Sequence, residues 1–361
     1  MAKIKNLIIN FTLALLSLVI LLFLLEGSLR VVVAFKRSFW GSDWLSFCPN
    51  PYFINQALFK KNSSPDFPNI MPPNIETSIA GRRVRTNSFG MRAETDYSLS
   101  KMPGTYRLAA IGDSVTFGWG VDSNESYPAI LESMLRARFE DKVEVLNFGM
   151  PSLSSREVLP LLRSNVLKFS PDFIIIGYHL NDIYYDPDLV HFFNTLVPRS
   201  LAKHSKLYSC LFNAWQRLTS SYTPYYKEAY DEKKSPLWES QKDFFVELAF
   251  LSREKKLPIL VVILPEWRNF NDAHKLKAIY EQVSKEAIKN NLSSINIFSL
   301  LRGKGITDVG KHYQTDFSLT SSPEDYDHPN RAGHAAIAEL IFEFFLRNGF
   351  PNSDYRRTAN F

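Results

Sequence analysis

From residue 107 onward the chain alternates short apolar runs rich in Ile and Val with amphipathic segments, and no other feature restricts its fold as strongly. Strands that read as continuous apolar runs suit a parallel sheet with helices on both faces. Five runs qualify: Arg107 to Gly112, Val143 to Phe148, Asp172 to Tyr178, Pro258 to Leu264 and Ser294 to Ser299. Around them, Tyr127 to Phe139, Arg156 to Phe169, Glu239 to Lys256, Ala273 to Asn290 and Arg331 to Arg347 repeat apolar residues at intervals of three and four. That spacing gives each segment one apolar helical face. The expected fold class is α/β, a three-layer α/β/α sandwich on a five-stranded parallel sheet. With 361 residues, 45% of them hydrophobic, the chain can bury one large core without covalent staples.

Two further features bound the organisation. Leu7 to Leu25 contains only Asn10, Thr12 and Ser17 as polar residues, long enough to cross a hydrocarbon layer as a helix. No small-residue cleavage site follows, and Glu26 intervenes, so the segment reads as an uncleaved signal anchor. Lys3 and Lys5 face Arg30, Lys36 and Arg37 across it, a near tie by the positive-inside rule. The expectation is a single-pass membrane protein with a short inner tail and the body on the extracytoplasmic side. Pro65, Pro68, Pro72 and Pro73 exclude helix and central strand nearby, which suggests a spacer. The boundaries are therefore an anchor at 1–36, a juxtamembrane spacer and extension at 37–104, the main domain at 105–350 and a tail at 351–361. Residues 183–238, dense in Tyr, Phe and His, exceed an ordinary connection and form an insertion, either a lid or acceptor-binding segment or a helical cover for the sheet edge.

Composition removes several functions. A net charge of +5 spread along the chain, without a basic block, argues against nucleic acid as a partner. Cys48 and Cys210 alone cannot build a cysteine metal knuckle; whether they pair is open. No metal and no cofactor are expected, and no protein partner is indicated.

The chemistry clusters just beyond the candidate strands. Ser114 lies in Gly112-Asp113-Ser114, directly after the first run, at the carboxyl edge where open α/β sheets place ligands. By itself the tripeptide is also an ordinary turn or helix cap. Asp325 and His328 stand three residues apart before the last helix, spaced so that a carboxylate can hold an imidazole in one tautomer. The same letters suit a capped helix start. His334, one and a half turns on, is an alternative base. After the second run Gly149 permits close backbone approach, and after the third Asn181 offers an amide donor; each alone reads as a turn.

Taken jointly, Gly112-Asp113-Ser114, Gly149, Asn181-Asp182 and Asp325-x-x-His328 resemble the four blocks of the SGNH, or GDSL, hydrolase superfamily, in order and spacing, across about residues 105 to 348. Arg85 to Arg92 resembles a segment that precedes the first block in membrane-anchored bacterial members. The resemblance implies an SGNH/flavodoxin-like sheet and a serine esterase acting through an acyl-enzyme. Ser114 would be nucleophile, His328 base and Asp325 its orienting carboxylate, with Ser114 N–H, Gly149 N–H and the Asn181 side chain as oxyanion hole. His179 stands where the family often has glycine and is a candidate substrate contact. The expected substrate is an acylated carbohydrate or lipid of the envelope. Two alternatives stand beside hydrolysis: O-acyl transfer to a glycan hydroxyl, and an inactive membrane-tethered glycan-binding or assembly protein.

Overall fold

The computed structural model describes residues 2–40, 60–61, 69–79, 82–139, 142–151, 153–183, 205, 207, 222–266, 276–305 and 328–350. Cys48, Cys210, Asp325 and most of the 183–238 insertion lie outside them. The chain divides into two compact units: 1–53 with 186–220, and 54–185 with 221–361.

The first unit is described mainly by α1, Ala2–Trp40. Its segment Ile9–Val31 has a mean hydropathy of 2.4 and no buried residues, so by length and composition it can serve as a membrane span or a signal sequence. Glu26 interrupts the apolar surface, and its carboxylate is well supplied with donors. Arg30 Nε lies 2.7 Å away, Ser205 Oγ 3.0 Å and Leu207 N 2.8 Å.

The second unit is the expected sandwich. Its strands are β5 (Tyr106–Gly112), β6 (Val143–Gly149), β7 (Phe173–Tyr178), β8 (Ile259–Ile263) and β9 (Ser293–Asn296), all parallel in the order β6-β5-β7-β8-β9. β5 and β7 are interior strands and almost wholly buried, as the apolar runs Leu108–Ile111 and Phe173–Ile176 require. The change in winding direction falls at β5, so the crevice at its carboxyl end is a topological switch point. The outer layers comprise α3 (Tyr127–Arg138), α8 (Ile297–Gly303) and α9 (Arg331–Arg347) in one packed group, and α4 (Ser155–Ser164), α6 (Pro236–Lys255) and α7 (Lys277–Lys289) in the other. Two other helices matter below: α2 (Ser114–Phe117) and α5 (Tyr222–Ala229).

One expected strand is shorter than its apolar run, and two stretches of the chain take their places in the units. The fifth run is a strand only to Asn296, whose Oδ1 accepts from Ser299 N at 3.1 Å and starts α8 as an N-cap. Of the stretch expected as spacer and extension, 37–104, the part from Ile54 on groups with the second unit. It contributes the short pair β1 (Lys60–Lys61) and β2 (Asn69–Ile70) and the hairpin β3 (Glu76–Ile79) and β4 (Arg82–Arg85). Within the expected insertion, residues 222–238 belong to the second unit. There Tyr226, Tyr230 and Trp238 are buried, and the Tyr230 hydroxyl lies 2.9 Å from that of Tyr178 on β7.

Candidate active site

At the end of β5 the chain turns through Asp113 directly into α2. Asp113 is the N-cap, with Oδ1 accepting from Val115 N at 2.9 Å, and places Ser114 at the first helical position. The helix lasts one turn because Gly118, at φ +87°, closes it in the left-handed region. Ser114 is half-buried while Val115, Thr116 and Phe117 are buried, so the one exposed chemical group of the elbow is the serine hydroxyl.

This tight elbow needs a flat seat, and three glycines provide it. Gly149, Gly112 and Gly177 lie abreast on β6, β5 and β7 in one register row. A Cβ on Gly149 would approach Phe117 N to 2.2 Å, and one on Gly112 or Gly177 would meet Thr116 Oγ1 at 2.2 or 2.3 Å. Thr116 Oγ1 in turn lies 3.0 Å from the Tyr127 hydroxyl. Asn147 completes the clamp: its Nδ2 donates to Thr116 O at 3.0 Å while its Oδ1 accepts from Gly149 N at 2.8 Å. That last bond engages the N–H of Gly149, the residue expected as an oxyanion donor. The lack of a side chain at Gly149 is explained by packing under α2.

His328 arrives from the start of α9, 214 residues away, and its Nε2 lies 2.8 Å from Ser114 Oγ. The helix that follows is capped by Asn330, whose Oδ1 accepts from Gly333 N at 3.0 Å. Trp119 stacks on the His328 ring, with centroids 5.6 Å apart and planes at 27°. His334, the alternative base, is excluded by its place in the core. It is fully buried, its Nδ1 accepts from Tyr127 N at 3.2 Å, and burial with the nearby charges of Arg92 and His328 pushes its pKa down to about 3.

The floor of the site is a buried ionisable cluster. Following β7, Leu180–Ile183 forms one 3₁₀ turn, which leaves Asn181 exposed and turns Asp182 inward. Asp182 Oδ2 accepts from His179 N at 3.1 Å; burial first, then the Asp113 carboxylate, raise its pKa well above the usual range. His179, expected as a candidate substrate contact, is buried at 4% exposure. Its Nδ1 lies 3.5 Å from Glu266 Oε1 and 4.0 Å from Asp113 Oδ2. Burial alone would lower its pKa, but Glu266, Asp113 and the Asn181 amide together outweigh burial and raise it. Glu266 also accepts from the Tyr226 hydroxyl, so α5 reaches the same cluster.

Sequence reasoning found Ser114, His328 and Asn181 at this edge but missed Asn147, Trp119 and Glu266. A Trp between two glycines, Gly118 and Gly120, directly after α2 was the available signal for one of them. Among the described residues no group of His, Cys, Asp and Glu is arranged to hold a metal ion.

Residues 110–336 match the model of the GDSL-like lipase/acylhydrolase family. No curated protein matches the chain. Among solved structures, the chain is similar to an alpha/beta hydrolase enzyme from the metagenome of Lake Arreo, Spain, at 19% identity, covering 71% of this chain and 99% of that one, with a TM-score of 0.43. It is also similar to an acetylxylan esterase from Geobacillus stearothermophilus, at 16% identity, 72% and 100% coverage and a TM-score of 0.42. A third is the lipase/acylhydrolase from Enterococcus faecalis, at 15% identity, 67% and 95% coverage and a TM-score of 0.41.

Proposed function

Because this chain belongs to the GDSL-like lipase/acylhydrolase family, and hence to the SGNH hydrolases, we propose that it is a serine esterase working through an acyl-enzyme on Ser114. The observation that carries the reading is the 2.8 Å approach of His328 Nε2 to Ser114 Oγ at the switch point of the sheet. A nucleophile and a base within hydrogen-bond reach are what covalent acyl transfer requires. Asp325 is proposed as the group that orients His328, three residues before it in sequence.

In the first half-reaction His328 Nε2 takes the Ser114 proton as Oγ attacks the ester carbonyl carbon. Asn181 is proposed to donate to the oxyanion together with Ser114 N–H, which lies at the first position of α2, where a helix leaves N–H groups without internal partners. The tetrahedral intermediate collapses, His328 returns the proton to the departing alkoxide, and an acyl ester remains on Ser114. Water then attacks with His328 as base and releases the carboxylic acid. We assign the substrate to acylated carbohydrate or lipid of the envelope, with α1 as a membrane anchor and the body on the extracytoplasmic side. The length and hydropathy of α1 support the anchor.

The test is labelling of the full-length, detergent-solubilised protein with a fluorophosphonate, comparing wild type with Ser114→Ala and His328→Gln. Labelling of wild type, its absence in Ser114→Ala and strong slowing in His328→Gln are expected. Equal labelling of wild type and Ser114→Ala would defeat the assignment. Product analysis with an acetylated oligosaccharide then separates release of acid from transfer to a hydroxyl.

A further inference from the structure

We propose that Arg92 and Trp119 are positioning residues for the base: Arg92, from the amino-terminal extension, fixes the loop that holds the Trp119 ring against His328. The proposal rests on the reading of Ser114 and His328 as nucleophile and base. It gives a catalytic purpose to a segment outside the 110–336 family match.

The arrangement begins locally. Asn87 Oδ1 accepts from Phe89 N at 3.0 Å and Met91 N at 3.1 Å, and Asn87 N donates to Met91 O at 2.9 Å. Gly90 closes this turn at φ +78°, pressed so tightly on the chain that a Cβ would lie 2.4 Å from Met71 O. The turn buries Met91 and sends Arg92 into the body of the domain, where it is 4% exposed.

There the guanidinium meets the loop following α2. Its Nη1 donates to Phe117 O at 2.9 Å and to Gly118 O, its Nη2 donates to Val121 O, and its plane centre lies 4.6 Å from the Phe117 ring. A planar fork can gather several carbonyls at once, which an ammonium on a flexible stem cannot do with the same geometry. The loop between these carbonyls is Gly118-Trp119-Gly120, with both glycines at positive φ. Two such residues make a loop that needs outside support to keep one shape. It is tied to the nucleophile too, since Trp119 N donates to Ser114 O at 3.0 Å. The outcome is a half-buried indole stacked on the half-buried His328 ring that faces Ser114 Oγ.

An aromatic face against an imidazole restricts its rotation and favours the imidazolium formed as the serine attacks. Removing that face should therefore slow the chemical step and leave substrate binding alone. Arg92 should matter to catalysis through Trp119 and not separately from it.

The experiment measures fluorophosphonate labelling rates, and kcat and KM for p-nitrophenyl acetate, on the full-length protein below the lowest melting transition in the set. Trp119→Leu is expected to lower labelling rate and kcat about tenfold with KM changed less than about twofold, and Trp119→Phe to restore most of the loss. Arg92→Lys should show a similar loss, and the double variant Arg92→Lys/Trp119→Leu should be no slower than its slower parent. Losses that multiply in the double variant, an unchanged kcat in Trp119→Leu, or a change confined to KM would each overturn the proposal. The Trp119 variants retain Arg92, so they decide the matter even if Arg92→Lys does not fold. Failure of wild type to label, or equal labelling of Ser114→Ala, would instead remove the serine reading, and this proposal with it.

Discussion

The two ends of the parallel sheet both bury charge, yet they treat it in opposite ways. At the amino edge Arg107 is fully buried and held by several partners. Its Nε donates to Glu144 at 2.7 Å, its Nη1 to Phe169 O at 2.6 Å and Leu99 O at 3.2 Å, while its backbone N–H donates to Asp172 at 2.8 Å. Lys101 reaches the other oxygen of that same Asp172. At the carboxyl edge Asp113 Oδ2, both ring nitrogens of His179 and Asp182 Oδ1 are buried without a hydrogen-bond partner among the described residues. Unsatisfied buried polar groups are costly, so proteins retain few of them, and functional sites are where they are found. The contrast teaches where this domain places stability and where it gives stability up for chemistry.

The largest test breaks the contrast at the carboxyl edge. Ser114→Ala should lower esterase turnover about 10⁴-fold or more while the melting temperature stays close to wild type. A variant that loses stability in step with activity would mean that the serine supports the elbow and not the chemistry. At the opposite edge Arg107→Met should do the reverse. Glu144 and two backbone carbonyls would lose a buried cationic partner, an effect of about 3–5 kcal/mol in chemical denaturation, with Ser114 labelling unchanged in the protein that remains folded. Slower labelling at full occupancy of the native state would show that the two edges are coupled.

A smaller effect is expected at Asp182, and its sign differs. Its folded-state pKa is raised above the ordinary 3.8, so the native state holds this proton more tightly than the unfolded chain does. Its favourable contribution is complete below the unfolded pKa and is lost as pH rises through the folded one. Asp182→Asn, which can still accept from His179 N, should therefore gain in melting temperature relative to wild type, and gain more at pH 8 than at pH 5. A gap that stays constant or reverses would contradict the assigned burial.

The smallest effect belongs to His334, a third way of handling a buried ionisable group, kept neutral in the core. Its folded pKa of about 3 lies below the ordinary 6.5. Its contribution is present above the unfolded value and is lost as pH falls from about 6.5 towards 3. In His334→Asn an Oδ1 can take over from Nδ1 as acceptor for Tyr127 N–H. The decline in melting temperature between pH 7 and pH 5 should then be shallower than in wild type, and an identical slope would count against it.

Much of the scaffold was legible in the sequence because its signals are local. Five apolar runs and five amphipathic segments reappear as strands and helices with ends shifted by a few residues, and Arg331–Arg347 keeps its expected ends. The exception, residues 297–299, turned on one side-chain cap at Asn296, a contact too small to alter an apolar pattern. Gly149 is ambiguous in the sequence for a related reason. A glycine at a strand end can free an N–H for a ligand or make room for a neighbour, and only the position of α2 above β6 distinguishes these. His179 stood in a position that suggested a substrate contact, and its burial beside Glu266 follows from the pairing of β7 with β8, which brings the segment beyond β8 next to it from far along the chain.

By itself the sequence determined the layer architecture, the parallel sheet and the serine at its carboxyl edge, since residue periodicity and turn chemistry act within a few residues of each other. Tertiary structure alone decided that His328 and not His334 meets Ser114, that Gly149 belongs to a seat of three glycines, and that Arg92 reaches the loop carrying Trp119. Each of these depends on strand register or on contacts between residues far apart in the chain. A shift of register by one residue reverses which face a side chain occupies, and no local pattern records it.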